Sequence, residues 1–349
     1  MSKKNLCKRI ISVLMAAALI LTATACGGSG TSSASGDAAA SAGTASGGEK
    51  IKVGVAIQTL KANVYTVMQE YAMKKADELG VELLYQSCEL NAATQKSQIE
   101  TMLGQGIQAL VIEPADADSM AATAKMVRDM GIPVINMEQR ISNFDSDLWI
   151  VGDSYTVGQL QVEQFIEVWG EDKPANIVLL CGTAGDEVAE TISRGVRETA
   201  AKYDNLTIVV DQQVPEWDRQ KAMNYMEDAI VQTGGDINVV IANNDNMALG
   251  ARKAAENAGI ADDIWFVGAD NDEEMNQGIL DGKKMMTVDK GAILQGQRIV
   301  EAAVNLINGV ENPVDKMDGE MPVWYTPVQM VTTETIEEIS GPKFPHLFE

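Results

Sequence analysis

From Ile51 onward, short runs that are aliphatic on both faces alternate with longer stretches of helical spacing. In the first half the runs are Ile51–Ile57, Val81–Tyr85, Ala109–Ile112 and Ile132–Met137. In the second half they are Asn176–Leu180, Leu206–Val210, Val239–Ala242 and Ile264–Val267. A strand that is apolar on both faces must be covered on both, and the intervening helices supply that cover. The pattern calls for an α/β fold of doubly wound parallel sheets with right-handed crossovers. The first helix shows the spacing: Val64, Val67, Met68, Tyr71, Ala72, Lys75, Ala76 and Leu79 follow i, i+3, i+4, i+7, with Lys75 the one polar member. Gly80 is placed to end it as a C-cap. Further helices are expected over about 94–105, up to Met130, and over about 187–202, 219–231 and 247–258. Another begins near Val157, with Asp153 and Ser154 as its caps.

A weak internal repeat runs through this pattern. Ala109-Leu-Val-Ile-Glu, a helix, Gly131-Ile132 and Val134-Ile-Asn-Met-Glu lie over Val239-Val-Ile-Ala-Asn, a helix, Gly259-Ile260 and Phe266-Val-Gly-Ala-Asp. In both copies a strand ends in polar residues, a helix follows, and the next strand also ends in polar residues. Two copies of one doubly wound unit make two similar lobes. Open parallel sheets bind ligands beyond the carboxyl ends of their strands. If the lobes face each other, those ends converge on one cleft.

The residues just past the strands are the candidates. They are Gln58; Glu138, Gln139 and Arg140; Glu187 and Glu190; Trp217; Asn243, Asn244 and Asp245; Asp270 and Asn271; and Asp289 and Lys290. Tyr65, at the start of the first helix, is divided between core and cleft. Carboxylates, amides, Arg and Lys form charge-assisted hydrogen bonds to adjacent hydroxyls, and an indole covers the C–H face of a pyranose. Asp or Asn after a strand also serves as an N-cap, a reading open above all for Asp245 and Asn271.

The N-terminus carries an address. Lys3, Lys4, Lys8 and Arg9 precede the apolar run Ile10–Leu21, the small residues Ala23, Thr24 and Ala25, and then Cys26. This resembles a lipoprotein signal peptide, with Cys26 the lipid-modified residue of the exported chain. The apolar run is shorter than the ~20 residues of a spanning helix. Residues 27–48 are almost entirely Gly, Ser, Ala and Thr, the composition of a flexible leash. Removing residues 1–25 takes away four of the 27 basic residues and none of the 50 acidic ones, so 23 face 50 and the balance is −27. Such acidity argues against nucleic acid or anionic lipid as a partner. Beyond Cys7 and Cys26 only Cys88 and Cys181 remain, read as two separate buried thiols. The one histidine, His346, stands in the C-terminal tail, which leaves histidine-dependent catalysis and His-rich metal sites without material.

Val239-Val-Ile-Ala-Asn-Asn-Asp-Asn-Met-Ala-Leu-Gly-Ala, Phe266-Val-Gly-Ala-Asp and Thr287-Val-Asp-Lys resemble the type I periplasmic sugar-binding proteins, the ribose, galactose and xylose group. The resemblance covers about Ile51 to Glu338. It implies two lobes joined by a hinge that the chain crosses several times. It also implies that Asn244 and Asp270 bond ligand hydroxyls, that Trp217 stacks on the sugar and that Lys290 is a polar contact near the hinge. Departures are visible. Glu138-Gln139-Arg140 stands where Asp-Arg is usual, so either Gln139 takes the arginine's place or the loop shifts. Glu190 occupies a position where a cation or amide is expected. The first loop offers Val64-Tyr65 rather than an aromatic pair.

The resulting expectations are a signal peptide over 1–25, a linker over 26–49, lobe one from 50–153 plus 291–320, and lobe two from 154–290 plus 321–340. The resemblance implies a monomeric, extracytoplasmic, lipid-anchored receptor for a monosaccharide or polyol that serves an ABC transporter permease. No cofactor, metal site or enzymatic activity is expected. The alternatives are a sugar sensor of the same fold for chemotaxis or signalling, and a binder of another small polar ligand. An extracellular hydrolase is the rival from another class, with Glu187 and Glu190 the conceivable pair.

Overall fold

The computed structural model describes residues 50–349. The signal peptide, Cys26 and the linker lie outside the described residues. Thirteen strands and ten α-helices alternate along this part.

The first sheet holds β1 (Lys52–Ile57), β2 (Glu82–Ser87), β3 (Ala109–Ile112), β4 (Val134–Met137), β5 (Leu148–Gly152), β11 (Lys316–Asp318) and β12 (Met321–Thr326) in the order β11-β12-β5-β4-β3-β1-β2. The second holds β6 (Ala175–Cys181), β7 (Leu206–Gln213), β8 (Val239–Ala242), β9 (Trp265–Ala269), β10 (Met285–Asp289) and β13 (Gln329–Val331) in the order β13-β10-β9-β8-β6-β7. Pairing is parallel except at β11–β12 and β10–β13. Counted from each sheet's first strand, both read second, first, third, fourth, fifth. The internal repeat is thus one topology used twice, with β3 and β4 matching β8 and β9.

The central strands are buried along their length: β3, β4, β5 and β8 expose no residue. In α1 (Asn63–Leu79) the stripe holds at Val64, Val67, Met68, Ala72 and Ala76, each worth ~1–3 kcal/mol of burial according to its size. Leu79 departs from it at 47% exposure. Lys75 leaves the apolar face to pair with Glu78 and Glu301. Gly80 caps α1 in the left-handed region at φ 68°. Cys88 and Cys181 are buried, unpaired thiols.

Two differences from the sequence reading concern β5 and β12. The run Leu148–Gly152 forms a strand that the alternating pattern did not single out. Residues 321–326, expected in lobe two, belong to the first sheet: Val323 to Thr326 pair in parallel with Trp149 to Gly152. The chain then passes through Pro327 and Val328 to β13, so the last crossing lies after Thr326. The other crossings run from β5 to α4 (Ser154–Trp169) and from β10 to α9 (Ala292–Ile307). They are tied together, because the Thr326 hydroxyl donates to the Lys290 carbonyl at 2.7 Å and Gln295 Nε2 donates to the same oxygen at 3.1 Å. An apolar cluster joins the sheets beside them, with Trp149, Val151 and Val323 from the first and Val188, Ala269 and Val288 from the second region.

The helix pairs pack closely through glycine. Where α4 crosses α5 (Glu187–Ala200), a Cβ at Gly158 would overlap the Ile192 carbonyl oxygen and stand 2.7 Å from the Val196 nitrogen. Gly158→Ala should therefore cost about 2–3 kcal/mol in urea unfolding. Gly104→Ala, with nothing within 4 Å of the new carbon, should leave the midpoint within about 0.5 kcal/mol of the parent.

Candidate functional site

Lys290 follows β10 at a chain crossing, and its side chain is only 8% exposed. Its ammonium donates to Glu138 Oε2 at 3.0 Å and lies 3.0 Å from Asp270 Oδ1. Glu138 ends β4 of the first sheet and Asp270 ends β9 of the second, so one cation holds a carboxylate from each. Burial by itself would lower the Lys290 pKa, but the charges of Asp270 and Glu138 outweigh it and hold the pKa up. Burial raises the Asp270 pKa, and Lys290 opposes that rise.

A second group lies on the first-sheet side. Glu113, just past β3, accepts from the Tyr65 hydroxyl at 2.6 Å and from Gln58 Nε2 at 2.8 Å, both through Oε1. Burial pushes its pKa up to about 8, with the charges of Glu138 and Asp186 adding to the rise and the two hydrogen bonds opposing it. The Tyr65 pKa is raised by burial and by the charges of Glu113, Glu138 and Asp270.

Trp217 lies in the second region. It ends a single 3₁₀ turn, Pro215–Trp217, and its indole N–H donates to Asp186 Oδ2 at 3.2 Å. Asp186 also caps α5 by accepting from Val188 and Ala189. The indole lies against Gly182, where any Cβ would collide with the ring. Gly182 is held in turn by Asn243, whose Oδ1 accepts from the Gly182 N–H at 2.8 Å and from Ser193.

The backbone is strained at the same places. Glu138 (φ 51°), Trp217 (φ 52°), Asp270 (φ 111°) and Asn271 (φ 58°) occupy the left-handed half of the map without being glycine. Such strain persists only where surrounding contacts over-determine it, and it clusters at functional sites. Polar satisfaction is also incomplete. Glu113 Oε2, Glu138 Oε1 and Asp270 Oδ1 are buried without a hydrogen-bond partner, although their residues are only 1%, 4% and 9% exposed. Asp270 Oδ1 nonetheless has the Lys290 ammonium 3.0 Å away. An unpaired buried acceptor costs about 1–3 kcal/mol, so the two on Glu113 and Glu138 call for an explanation.

The structure thus joins Glu138 and Asp270 through Lys290, Gln58 and Tyr65 through Glu113, and Trp217 to Asp186. Other candidates are placed differently. Arg140 is partly buried, with its guanidinium 2.7 Å from Asp318 and 3.4 Å from Glu187. Gln139 stands beside it at the rim of a recess of about 200 Å³ that Gly185 and Glu187 also line. Glu190 corrects the expectation of a cleft contact: it is exposed on α5 and accepts from the Gly185 N–H at 3.1 Å, bracing the loop before the helix. Asn244 is the N-cap of α7 (Asp245–Ala258), with its Oδ1 taken by the Met247 N–H at 2.9 Å. Asp245, open to a capping reading, is instead buried beneath the strands, where it accepts from the Thr287 hydroxyl and the Asp272 N–H. Asn271 bonds Asp289, Asn276 and Ser340, and Asp272 caps the next helix.

Sequence reasoning missed Glu113, Asp186 and Lys343. Glu113 had a signal, because the internal repeat lays it over Asn243. Lys343 had none: from the C-terminal segment its ammonium donates to the carbonyls of Asp270 and Asn271 at 2.8 and 3.0 Å and supports the strained turn from behind.

Residues 53–311, more than half of the chain, match the model of the periplasmic binding protein domain. The chain belongs to that family, a family of extracytoplasmic binding proteins rather than enzymes. It is 30% identical over 274 residues to the D-xylose-binding periplasmic protein of Escherichia coli (strain K12), covering 78% of this chain and 82% of that one. It is 27% identical to the ribose import binding protein of the same organism, over 78% and 89% of the two chains. Among solved structures it resembles an ABC transporter solute-binding protein from Bacillus halodurans C-125 with bound myo-inositol, at 27% identity and a TM-score of 0.73, over 84% and 98% of the chains. A Clostridium phytofermentans solute-binding protein with bound β-D-glucose shares the fold at a TM-score of 0.75, 24% identity and 83% and 96% coverage.

Glu113 gives the site a pH signature. Its pKa is raised from 4.5 to about 8, so the folded protein holds more protons than the unfolded chain between those values. Stability from neutral Glu113 is complete below about 4.5 and is lost as pH rises through about 8. The ligand-free protein should therefore lose stability between pH 5 and pH 8, by an amount on the order of a few kcal/mol from this group. Glu113→Gln should flatten that slope, measured as unfolding midpoint against pH.

Proposed function

We propose that this chain is an extracytoplasmic solute receptor that captures a monosaccharide or polyol between its two lobes and hands it to the permease of an ABC importer. The observation that carries the reading is the pair of buried oxygens on Glu113 and Glu138 without hydrogen-bond partners, beside a Lys290 that pairs with carboxylates from both sheets. One ligand hydroxyl donates to Glu138 Oε1, and another accepts from Lys290 or from the Glu113 carboxyl, which its raised pKa keeps neutral at pH 7. Trp217 offers an apolar face for the sugar ring. The named ligands of the relatives, D-xylose, ribose and myo-inositol, belong to this chemistry.

Gln58, Tyr65, Glu138, Trp217, Asp270 and Lys290 are the ligand contacts in this reading, with Glu113 and Asp186 added. Gln139 and Arg140 belong to the rim. Asn244 contributes through its amide nitrogen, since its oxygen is engaged by the helix. Closure is favoured because the ligand meets both sets of carboxylates only when the lobes are together, and it shifts the equilibrium by its differential affinity for that state. The receptor acts as a monomer, tethered through lipid on Cys26 and the small-residue leash.

A thermal-shift screen of the protein against D-xylose, D-ribose, D-glucose, myo-inositol, nucleosides and amino acids tests this reading. A sugar or polyol at a hundredfold excess over Kd should add about 2.7 kcal/mol of stability. A response confined to amino acids would overturn it. Asp270→Asn keeps the shape and leaves Lys290 its Glu138 partner, so it should abolish the ligand shift while moving the ligand-free midpoint by no more than about 3 °C. Mass spectrometry of the exported protein should find lipid on Cys26; an unmodified N-terminus beyond it would refute the tether.

A further inference from the structure

Asp270 and Asn271 are consecutive residues with positive φ, at 111° and 58°. Neither is glycine, so the turn holds only if its backbone groups are fixed from outside. The N–H side is fixed by neighbouring strands and their ends. Asp270 N–H donates to the Val288 carbonyl at 2.9 Å, Asn271 N–H to the Thr287 hydroxyl at 3.1 Å and Asp272 N–H to Asp245 Oδ2 at 2.7 Å. The carbonyl side is fixed by one residue. The Lys343 ammonium donates to the carbonyls of Asp270 and Asn271 at 2.8 and 3.0 Å, and among the described residues no other donor reaches either oxygen.

A buried ammonium is an unusual prop for two carbonyls. The Lys343 side chain is 2% exposed, and burial lowers its pKa. Among the described residues only one carboxylate, Asp289, comes within 4 Å, and at 3.8 Å it is beyond hydrogen-bonding distance. Lysine is almost never buried unless paired. A neutral amide has two N–H donors and would satisfy two carbonyls without bringing a charge into the interior. What the ammonium adds is charge beneath Asp270, where it opposes the rise that burial gives the Asp270 pKa, in the same sense as Lys290. Asp270 therefore stands between two buried ammonium groups, Lys290 3.0 Å from its carboxylate and Lys343 2.8 Å from its carbonyl. The C-terminal segment that carries Lys343 is itself anchored in the second region. Ile336, 3% exposed, joins the apolar cluster there, and the Ser340 hydroxyl donates to Asn271 Oδ1 at 2.8 Å.

We propose that Lys343 is a positioning residue for ligand binding: from the C-terminal segment it fixes the Asp270–Asn271 turn, and through that turn it sets where the Asp270 carboxylate meets the Lys290 ammonium. It touches no ligand. Its effect on affinity runs through Lys290, whose remaining donor capacity serves the ligand only while Asp270 and Glu138 hold the ammonium in place. This deepens the polyol reading above and rests on it.

Isothermal titration with D-xylose, D-ribose, D-glucose and myo-inositol, beside urea unfolding of the ligand-free protein, tests the assignment. For whichever of the four the parent binds, Lys343→Met, which removes both donors and charge, should raise Kd at least fivefold; a smaller rise overturns the proposal and leaves the polyol reading standing. Lys343→Gln keeps two N–H donors and should bind at least threefold tighter than Lys343→Met. Ile336→Ala loosens the same segment away from the ammonium, so it should lower the unfolding midpoint and leave Kd within twofold of the parent. If Ile336→Ala raises Kd as far as Lys343→Met does, affinity follows the stability of the segment and Lys343 has no positioning role. A Lys343→Gln protein that binds no tighter than Lys343→Met sinks the proposal as well. Where Lys343→Met does not fold, Lys343→Ser, whose smaller side chain leaves room for water, is read against the same limits. If the parent binds none of the four compounds, the polyol reading fails and takes this one with it.

Discussion

The cleft depends on one buried ammonium. Lys290 stands where the chain leaves β10 for α9, and its backbone carbonyl receives the donors of Thr326 and Gln295. Its side chain then reaches a carboxylate from each sheet. Removing such a cation would leave two buried carboxylates without a counter-charge, a change that typically costs about 3–5 kcal/mol. The residue that joins the hinge crossings is thus the one that sets the charge of the cleft. Gly291 follows it at φ 76°, and a Cβ there would stand 3.1 Å from Thr326 Cβ, so the crossing has room for no larger residue without strain.

The repeated topology explains why those carboxylates meet at all. In the internal overlay Glu138 matches Asp270, each closing the fourth strand of its sheet. Both take positive φ, at 51° and 111°. Glu113 and Asn243 likewise match as the residues after the third strands, but their roles have diverged. Glu113 keeps an oxygen without a protein partner, whereas Asn243 has turned inward to hold Gly182 beneath the Trp217 ring. One copy supplies polar contact and the other supports an aromatic wall. That asymmetry suits a ring with a hydroxyl edge and a C–H face.

The alternation of buried strands with helices was legible because it is local: aliphatic runs, helical stripes and glycine caps report on their own neighbourhood. The repeat made two similar units legible, though not the order of their strands. What stayed hidden depends on distant partners. Nothing in Met321–Thr326 says that it pairs with β5 rather than with the second sheet. Asn244 and Asp270 both look like strand-end ligands, yet the oxygen of one is consumed by its own helix while the other pairs with Lys290. Arg140 reads as a cleft cation until Asp318, 178 residues away, binds it. Lys343 is invisible from sequence because its task is to bond carbonyls at a turn 72 and 73 residues earlier, and those carry no side-chain signature.

The two interlobe ion pairs act on closure unequally. Arg140 and Glu187 join opposing loops at the rim, where both are partly exposed and water screens their attraction; such pairs are worth about 0–1 kcal/mol. Lys290 with Glu138 and Asp270 is nearly dry, and there desolvation competes with attraction, so a buried pair is weak evidence for net stabilisation. Neither contact alone holds the lobes together strongly. The unpartnered oxygens beside Lys290 add a further cost to the closed arrangement that only a bound donor removes. A ligand that bonds these oxygens favours the arrangement with the lobes together, and it does so only by its differential affinity for that arrangement.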